Sequence, residues 1–179
     1  MTSDERSAAP DLRLRRPVEA DYGPIVSVVD EWWGGRVMHQ LLPRLWFQHF
    51  TGTSWVAEMS DGRLSGFLVG FVSPDHPAEA YIHMVAADPS LRLRGIGRML
   101  YERFIEDVAS RGVRTVKAIT WPGNRDSVGF HTAMGFRPAS GPAARTIEGT
   151  PAFTGYDYGR EDRVVFVLGI EDRMYHRPA

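Results

Sequence analysis

The stretch from Ala80 to Ser110 constrains the fold more than any other part of the chain. Ala80 to Ala87 reads as a strand, and Asp88-Pro89 stops it. A loop then runs into Gly95-Ile96-Gly97. From there to Ser110, Met99, Leu100, Phe104 and Val108 fall near one helical face. The unit is therefore strand, glycine turn, helix.

The flanking sequence extends this pattern. Leu12 to Arg15 reads as a short strand, Val18 to Trp33 as a helix closed by Gly34-Gly35, and Leu41 to Phe50 as a second, proline-interrupted helix. Ser54 to Met59 and Leu64 to Val72 form strands around the hairpin signal Asp61-Gly62. After the glycine unit come a strand at Val113 to Thr120, a helix at Asn124 to Met134, a strand opened by Phe136, and a last strand at Arg163 to Ile170. Pro138 to Gly159, rich in Gly, Pro and Thr, is expected to be mostly loop. The order β-α-α-β-β-β-α-β-α-β-β predicts an α/β (α+β) fold. Its mixed central sheet has about six to seven strands with helices on both faces.

Size and composition fit one domain, expected to span residues 11–172 between tails at 1–10 and 173–179. A net charge of −1, with basic residues scattered among acidic ones, points away from a nucleic-acid partner. Met1 to Pro10 has no apolar segment of a leader, and no apolar run approaches the roughly 20 residues of a membrane span. With no cysteine, the chain can form neither a disulfide nor a thioester intermediate of its own, and it suits a reducing, cytoplasmic setting. The histidines, including His39 and His49, form no metal-ligand motif, so no metal is expected.

The turn Arg92-Leu93-Arg94-Gly95-Ile96-Gly97 has the chemistry of an anion cradle. Glycines let the backbone approach a ligand closely. The first N–H groups of the following helix point outward, and the helix dipole favours negative charge there. Arg92, Arg94 and Arg98 add positive charge. Leu100 stands where a dinucleotide fingerprint needs its third glycine. Arg98 and Met99 stand where a P-loop needs Lys and Ser/Thr.

Two stretches together carry a family resemblance. Tyr81-Ile82-His83-Met84-Val85-Ala86-Ala87 followed by Arg92 to Gly97 resembles the acetyl-CoA motif of the GNAT (GCN5-related N-acetyltransferase) superfamily. Asn124, Ser127, Phe130-His131 and Gly135-Phe136 resemble its second signature. The resemblance implies acetyl-CoA as acyl donor, an amine acceptor, direct transfer between them, and a homodimer. It also implies roles for residues. Met84, Val85, Ala86 and Ala87 would pair with the pantetheine arm through their backbone, and a backbone N–H near Val85 would stabilise the oxyanion. Leu93, Arg94, Gly95, Ile96, Gly97 and Arg98 would hold the pyrophosphate, with Arg92. Asn124, Ser127 or Val128, and His131 would present one helical face to the cofactor.

Members of the superfamily often carry a tyrosine where this chain has His131, and that tyrosine protonates the departing thiolate. His131 is thus a candidate general acid or a cofactor contact. The acceptor amine, with a pKa near 10, must lose a proton before it attacks. His83 shares a strand face with Tyr81 and Val85 and leads the candidates for that base, ahead of Glu79 and Glu31. Glu31, Trp32, Trp33, Tyr81, His83 and Tyr156 are candidate acceptor contacts, with Asp157 and Tyr158 beside the last. Trp faces suit a cationic amine. Two other readings stay open: a non-catalytic acyl-CoA-binding module, and a longer acyl chain seated near Ala86 and Ala87.

Overall fold

A computed structural model describes residues 12–91 and 95–171. Both expected tails and the positions Arg92, Leu93 and Arg94 lie outside the described residues. The described chain forms β1 (Leu12–Arg15), α1 (Tyr22–Trp32), α2 (Leu45–His49), β2 (Trp55–Met59), β3 (Leu64–Val72), β4 (Glu79–Ala87), α3 (Ile96–Ser110), β5 (Thr115–Thr120) and α4 (Arg125–Ala133). It continues with β6 (Arg137–Pro138), β7 (Ala144–Ile147), β8 (Thr150–Asp157) and β9 (Glu161–Gly169). The sheet is mixed, in the order β1-β2-β3-β4-β5-β9-β8-β7, with β6 beside β9. β4 runs parallel to β5, and a parallel pair needs a crossover, here through α3.

The sheet has nine strands among the described residues rather than the expected six to seven. The difference lies in residues 138–159, expected as loop. Ile147 pairs with Thr150 across the two-residue turn Glu148-Gly149. Both turn residues have positive φ, 50° and 79°, the primed geometry that matches strand twist. Glu-Gly lacks the Asn-Gly signature of such turns, so composition alone reads as loop. The expected second helix also shortens. Only Leu45–His49 is α-helical, because Pro43 follows a separate 3-10 turn at His39–Leu41. α1 starts at Tyr22, after a 3-10 turn at Glu19–Asp21, and Pro24 falls in its first turn, where its missing N–H costs nothing.

The described residues pack as two compact units, 12–69 with 85–91 and 95–100, and 70–84 with 101–171. In the first, Ile25, Val29, Leu42, Val56, Ala57, Phe67, Leu68 and Leu100 are fully buried, each large apolar side chain contributing about 1.5–3 kcal/mol. Gly66 lets the start of α3 sit close: a Cβ there would stand 2.8 Å from Ile96 Cγ2 and 3.1 Å from the Ala86 carbonyl. In the second unit, Phe104, Val108, Val116, Phe136, Val164 and Phe166 form the core. The buried stripe of α3 also takes in Tyr101 and Ile105, whereas Met99 is half-buried.

Candidate active site

β4 alternates strictly. Ala80, Ile82, Met84 and Ala86 are buried, while Glu79, Tyr81, His83, Val85 and Ala87 form the half-buried face. Tyr81, His83 and Val85 therefore share one face, as strand alternation requires. In the first unit, Asp88 N–H closes the strand by donating to the Ser65 carbonyl at 2.9 Å. Gly95 has φ 78° with open space where a Cβ would stand. Met99 N–H donates to the Gly95 carbonyl at 2.9 Å, so the helical ladder starts there. The N–H groups of Ile96 and Gly97 precede that bond and lie in the outward-pointing first turn. Arg98 is exposed beside them.

In the second unit, the half-buried face of β4 continues across its neighbours. Tyr81 pairs in register with Lys117 on β5, and Lys117 with Val167 on β9. The Lys117 ammonium lies 2.7 Å from Glu79 Oε2. That hydrogen bond holds the Glu79 carboxyl below the usual carboxylate range. The Tyr81 phenol is pushed up to about 12, first by burial and then by Tyr156 and Asp157, against a lowering by Arg163. Tyr156, a separate candidate in the sequence, thus acts on the ionisation of Tyr81. The Arg163 guanidinium pairs with Asp157 at 3.3 Å and with Glu161, and the Phe71 ring lies 5.8 Å from Tyr81. Tyr156 is exposed, and Tyr158 more so.

α4 is capped by Asn124, whose side chain accepts from Ser127 N–H at 3.3 Å. A cap of this kind holds a helix end in place. His131 departs from its expected surroundings. Its side chain is buried, with Nδ1 2.8 Å from the Ser127 carbonyl and Nε2 2.9 Å from Tyr101 Oη. A carbonyl only accepts, so Nδ1 carries the proton and Nε2 accepts from the phenol. A neutral imidazole has one N–H, and here it is already bound. Burial pushes the ring's pKa down, against a smaller upward effect of the Ser127 carbonyl. In this geometry the one N–H of the ring is held by the Ser127 carbonyl, and His131 is 5% exposed. Phe130 is half-buried, and Met134 and Phe136 are core.

The remaining candidates lie on α1. Glu31 is exposed, and Trp32 and Trp33 are half-buried. Beside them stands a group that sequence spacing did not reveal. Asp30 Oδ1 accepts from Met38 and His39 N–H at 2.7 and 2.8 Å, and Oδ2 lies 2.6 Å from His39 Nδ1. Asp30 and His39 are nine residues apart across Gly34-Gly35, so no single helix or strand brings them together. Lys117 and Tyr101 were likewise missed, since each reads as an ordinary member of its strand or helix. Among the described residues, no group of three His, Asp or Glu could hold a metal ion. No helix there is long and apolar enough to cross a membrane.

The described residues fit an acyl-CoA. The left-handed Gly95 leaves clear space before a 15-residue helix, as an anion at a helix start requires. Beyond the fold, the chain is similar to known proteins. Residues 24–136 match the Acetyltransferase (GNAT) family. An L-2,4-diaminobutyric acid acetyltransferase from Streptomyces avermitilis is 31% identical over 127 residues, covering 70% of this chain and 71% of that protein. A second, from Nocardia farcinica, is 36% identical over 93 residues, covering 52% of this chain and 48% of that relative, about half its length. A diaminobutyrate acetyltransferase from Paenibacillus lautus, solved with L-2,4-diaminobutyric acid and coenzyme A, has the same fold: TM-score 0.65, 22% identity, 89% of this chain and 95% of that one. The chain belongs to the acetyltransferase (GNAT) family of acetyl-CoA-dependent N-acetyltransferases.

Proposed function

We propose that this enzyme acetylates the free primary amine of a small amino acid, with acetyl-CoA as donor. The observation that carries the acceptor class is the half-buried face of β4, β5 and β9. It sets the phenol of Tyr81 among Lys117 with Glu79, and Arg163 with Asp157. Charges of both signs beside aromatic rings suit a zwitterion, which brings its own carboxylate and ammonium. The similarity to two diaminobutyric acid acetyltransferases points to the same class.

Acetyl-CoA supplies the activated acetyl thioester. The backbone of Met84, Val85, Ala86 and Ala87 pairs with its pantetheine arm, and Val85 N–H donates to the carbonyl oxygen as charge develops there. Ile96, Gly97 and Arg98, with Arg92, Leu93 and Arg94 outside the described residues, hold the pyrophosphate. Asn124 and Ser127 present the α4 face to the cofactor. His83 takes the proton from the acceptor ammonium. Glu79 suits this task less well, because a carboxylate held by Lys117 is a weaker base. Glu31 stands exposed on α1. Trp32 and Trp33 in the first unit, and Tyr156 in the second, are each proposed as acceptor contacts. The reading carries three further proposals: a cytoplasmic location, in keeping with a chain that has no cysteine; no nucleic-acid or membrane partner; and a homodimer, for which the edge strand β7 offers a pairing surface.

Thiol release from acetyl-CoA tests the function. L-2,4-diaminobutyrate, other free amino acids, simple amines and a peptide with a free N-terminus are offered in turn. Turnover with free amino acids, reduced at least tenfold when the carboxylate is amidated, supports the reading. Turnover only with the peptide refutes the acceptor class. Calorimetric titration with acetyl-CoA, with Gly97→Glu as comparison, tests the donor site separately. Retention of affinity in that variant would count against the pyrophosphate placement.

A further inference from the structure

Tyr101, His131 and Ser127 form one hydrogen-bonded chain inside the second unit. The Tyr101 phenol is 1% exposed and donates to His131 Nε2 at 2.9 Å, and His131 Nδ1–H donates to the Ser127 carbonyl at 2.8 Å. Ser127 Oγ lies 3.3 Å from the same Nδ1. Phe166 stacks on the imidazole at 4.5 Å with planes 4° apart. Phe130 and Phe136 stand edge-on to Tyr101 at 5.0 and 6.0 Å. Both ring nitrogens are thus satisfied, and three phenyl rings enclose the pair.

The position of this chain matters because of what anchors α4. His131 is the one buried residue within Arg125–Ala133. A helix normally takes its rotation from an apolar stripe pressed on the core. On α4 the inward face is Ser127, Phe130, His131 and the C-cap Met134, and the one buried side chain within the helix is a polar ring that fits in one orientation. A ring stacked on Phe166 and bonded at both nitrogens resists rotation of the helix that carries it. Losing one partner strands a buried donor or acceptor, which costs more than the bond itself contributes.

We propose that His131 is a positioning residue: through Tyr101 it fixes the rotation of α4, and so aims Asn124 and Ser127 at acetyl-CoA. This rests on the reading that the α4 face touches acetyl-CoA. The neutral imidazole bridges two helices and transfers no proton, so the departing thiolate takes its proton from another source. The groups facing the ring from α3, α4 and β9 are Tyr101, Ser127 and Phe166, with Phe136 beyond the end of α4, and Tyr101 is the one titratable group bonded to it.

The test uses His131→Phe, Tyr101→Phe and the double variant in the intact enzyme, with Asn124→Ser as reference, since serine keeps a capping oxygen but removes the amide. Acetyl-CoA affinity, KM, kcat and the pH profile of kcat are measured for each. The expected result is about a tenfold rise in Kd and KM for acetyl-CoA in either single variant, with kcat within about twofold and both limbs of the profile retained. In the double variant the loss is no greater than in the worse single one, the signature of two groups acting as a unit. A fall in kcat of a hundredfold or more in His131→Phe, with loss of the basic limb, makes His131 the general acid and overturns the proposal. A lowered Tm with Kd, KM and kcat unchanged makes the pair structural only and also overturns it. If Asn124→Ser weakens acetyl-CoA binding while the other variants do not, the positioning proposal fails alone. If none weakens it, the cofactor reading of α4 fails with it. Should His131→Phe not fold, Tyr101→Phe, which removes one oxygen, decides the outcome.

Discussion

Gly70→Ala is expected to destabilise the enzyme by about 1–2.5 kcal/mol. An added Cβ would stand 2.5 Å from Phe104 Cε2, 2.9 Å from Phe104 Cζ and 2.9 Å from the Tyr81 carbonyl oxygen. Phe104 is fully buried, so its ring cannot swing into solvent, and the carbonyl belongs to β4. Overpacking costs about 1–3 kcal/mol in general, and contacts as short as 2.5 Å to a buried ring and 2.9 Å to a backbone oxygen put this site in the upper part, about 2–3 kcal/mol. Alanine returns part of that, roughly 0.5–1 kcal/mol, because glycine loses more backbone freedom in a strand. For a chain of this size, 1 kcal/mol corresponds to about 2–4 °C, so a Tm lowered by roughly 2–10 °C is expected. Chemical denaturation with an unchanged m-value should report the same loss. Gly129→Ala on α4 is the control, because its Cβ would meet nothing within 4 Å; it should be neutral or stabilise by up to about 1 kcal/mol. A neutral or stabilising Gly70→Ala would refute the close approach of α3 to β3.

Stability should rise with pH through the histidine range. His131 has a depressed pKa in the folded state, so the unfolded chain binds the proton more readily below about 6.5. Denaturation midpoints between pH 5 and 8 should show that slope in the wild type and a weaker one in His131→Phe. Asp21 gives a second, lower window. Burial raises its carboxyl, but the Arg15 hydrogen bond and Val18 N–H outweigh this and leave it below its ordinary value. Its contribution is present above about pH 4 and lost as pH falls through the folded value, so Asp21→Asn should flatten the acid arm of a denaturation series and cost about 1–3 kcal/mol at neutral pH. Lys117→Met should change stability by less than about 1 kcal/mol, because both partners of its ion pair are about a third exposed; carboxyl NMR titration should show Glu79 moving up. Gly95→Ala should cost about 1–2 kcal/mol from its positive φ alone, and weaken acetyl-CoA binding seen by calorimetry.

Residue patterns alone carry the order of local elements and the motif that names the family. Period-two and period-3.6 patterns act within a few residues, so β3, β4 and α3 were legible to within a residue or so. The glycines before α3 and the Asn124 cap work through the same short range. The β7–β8 hairpin was not legible, because Glu148 takes a positive φ that its side chain does not advertise. Which charges and protons are available depends on contacts between distant parts of the chain. His131 shares a helical face with Asn124 and Ser127, yet Tyr101, thirty residues earlier, occupies one of its nitrogens. Glu79 reads as a candidate base until Lys117, thirty-eight residues on, holds its carboxylate. Tyr156 acts on the ionisation of Tyr81 because β9 joins β5 to β8. Covalent spacing sets which residues share a face, but burial and partners set how tightly a proton is held. Those partners come from strands and helices that the chain brings together only on folding.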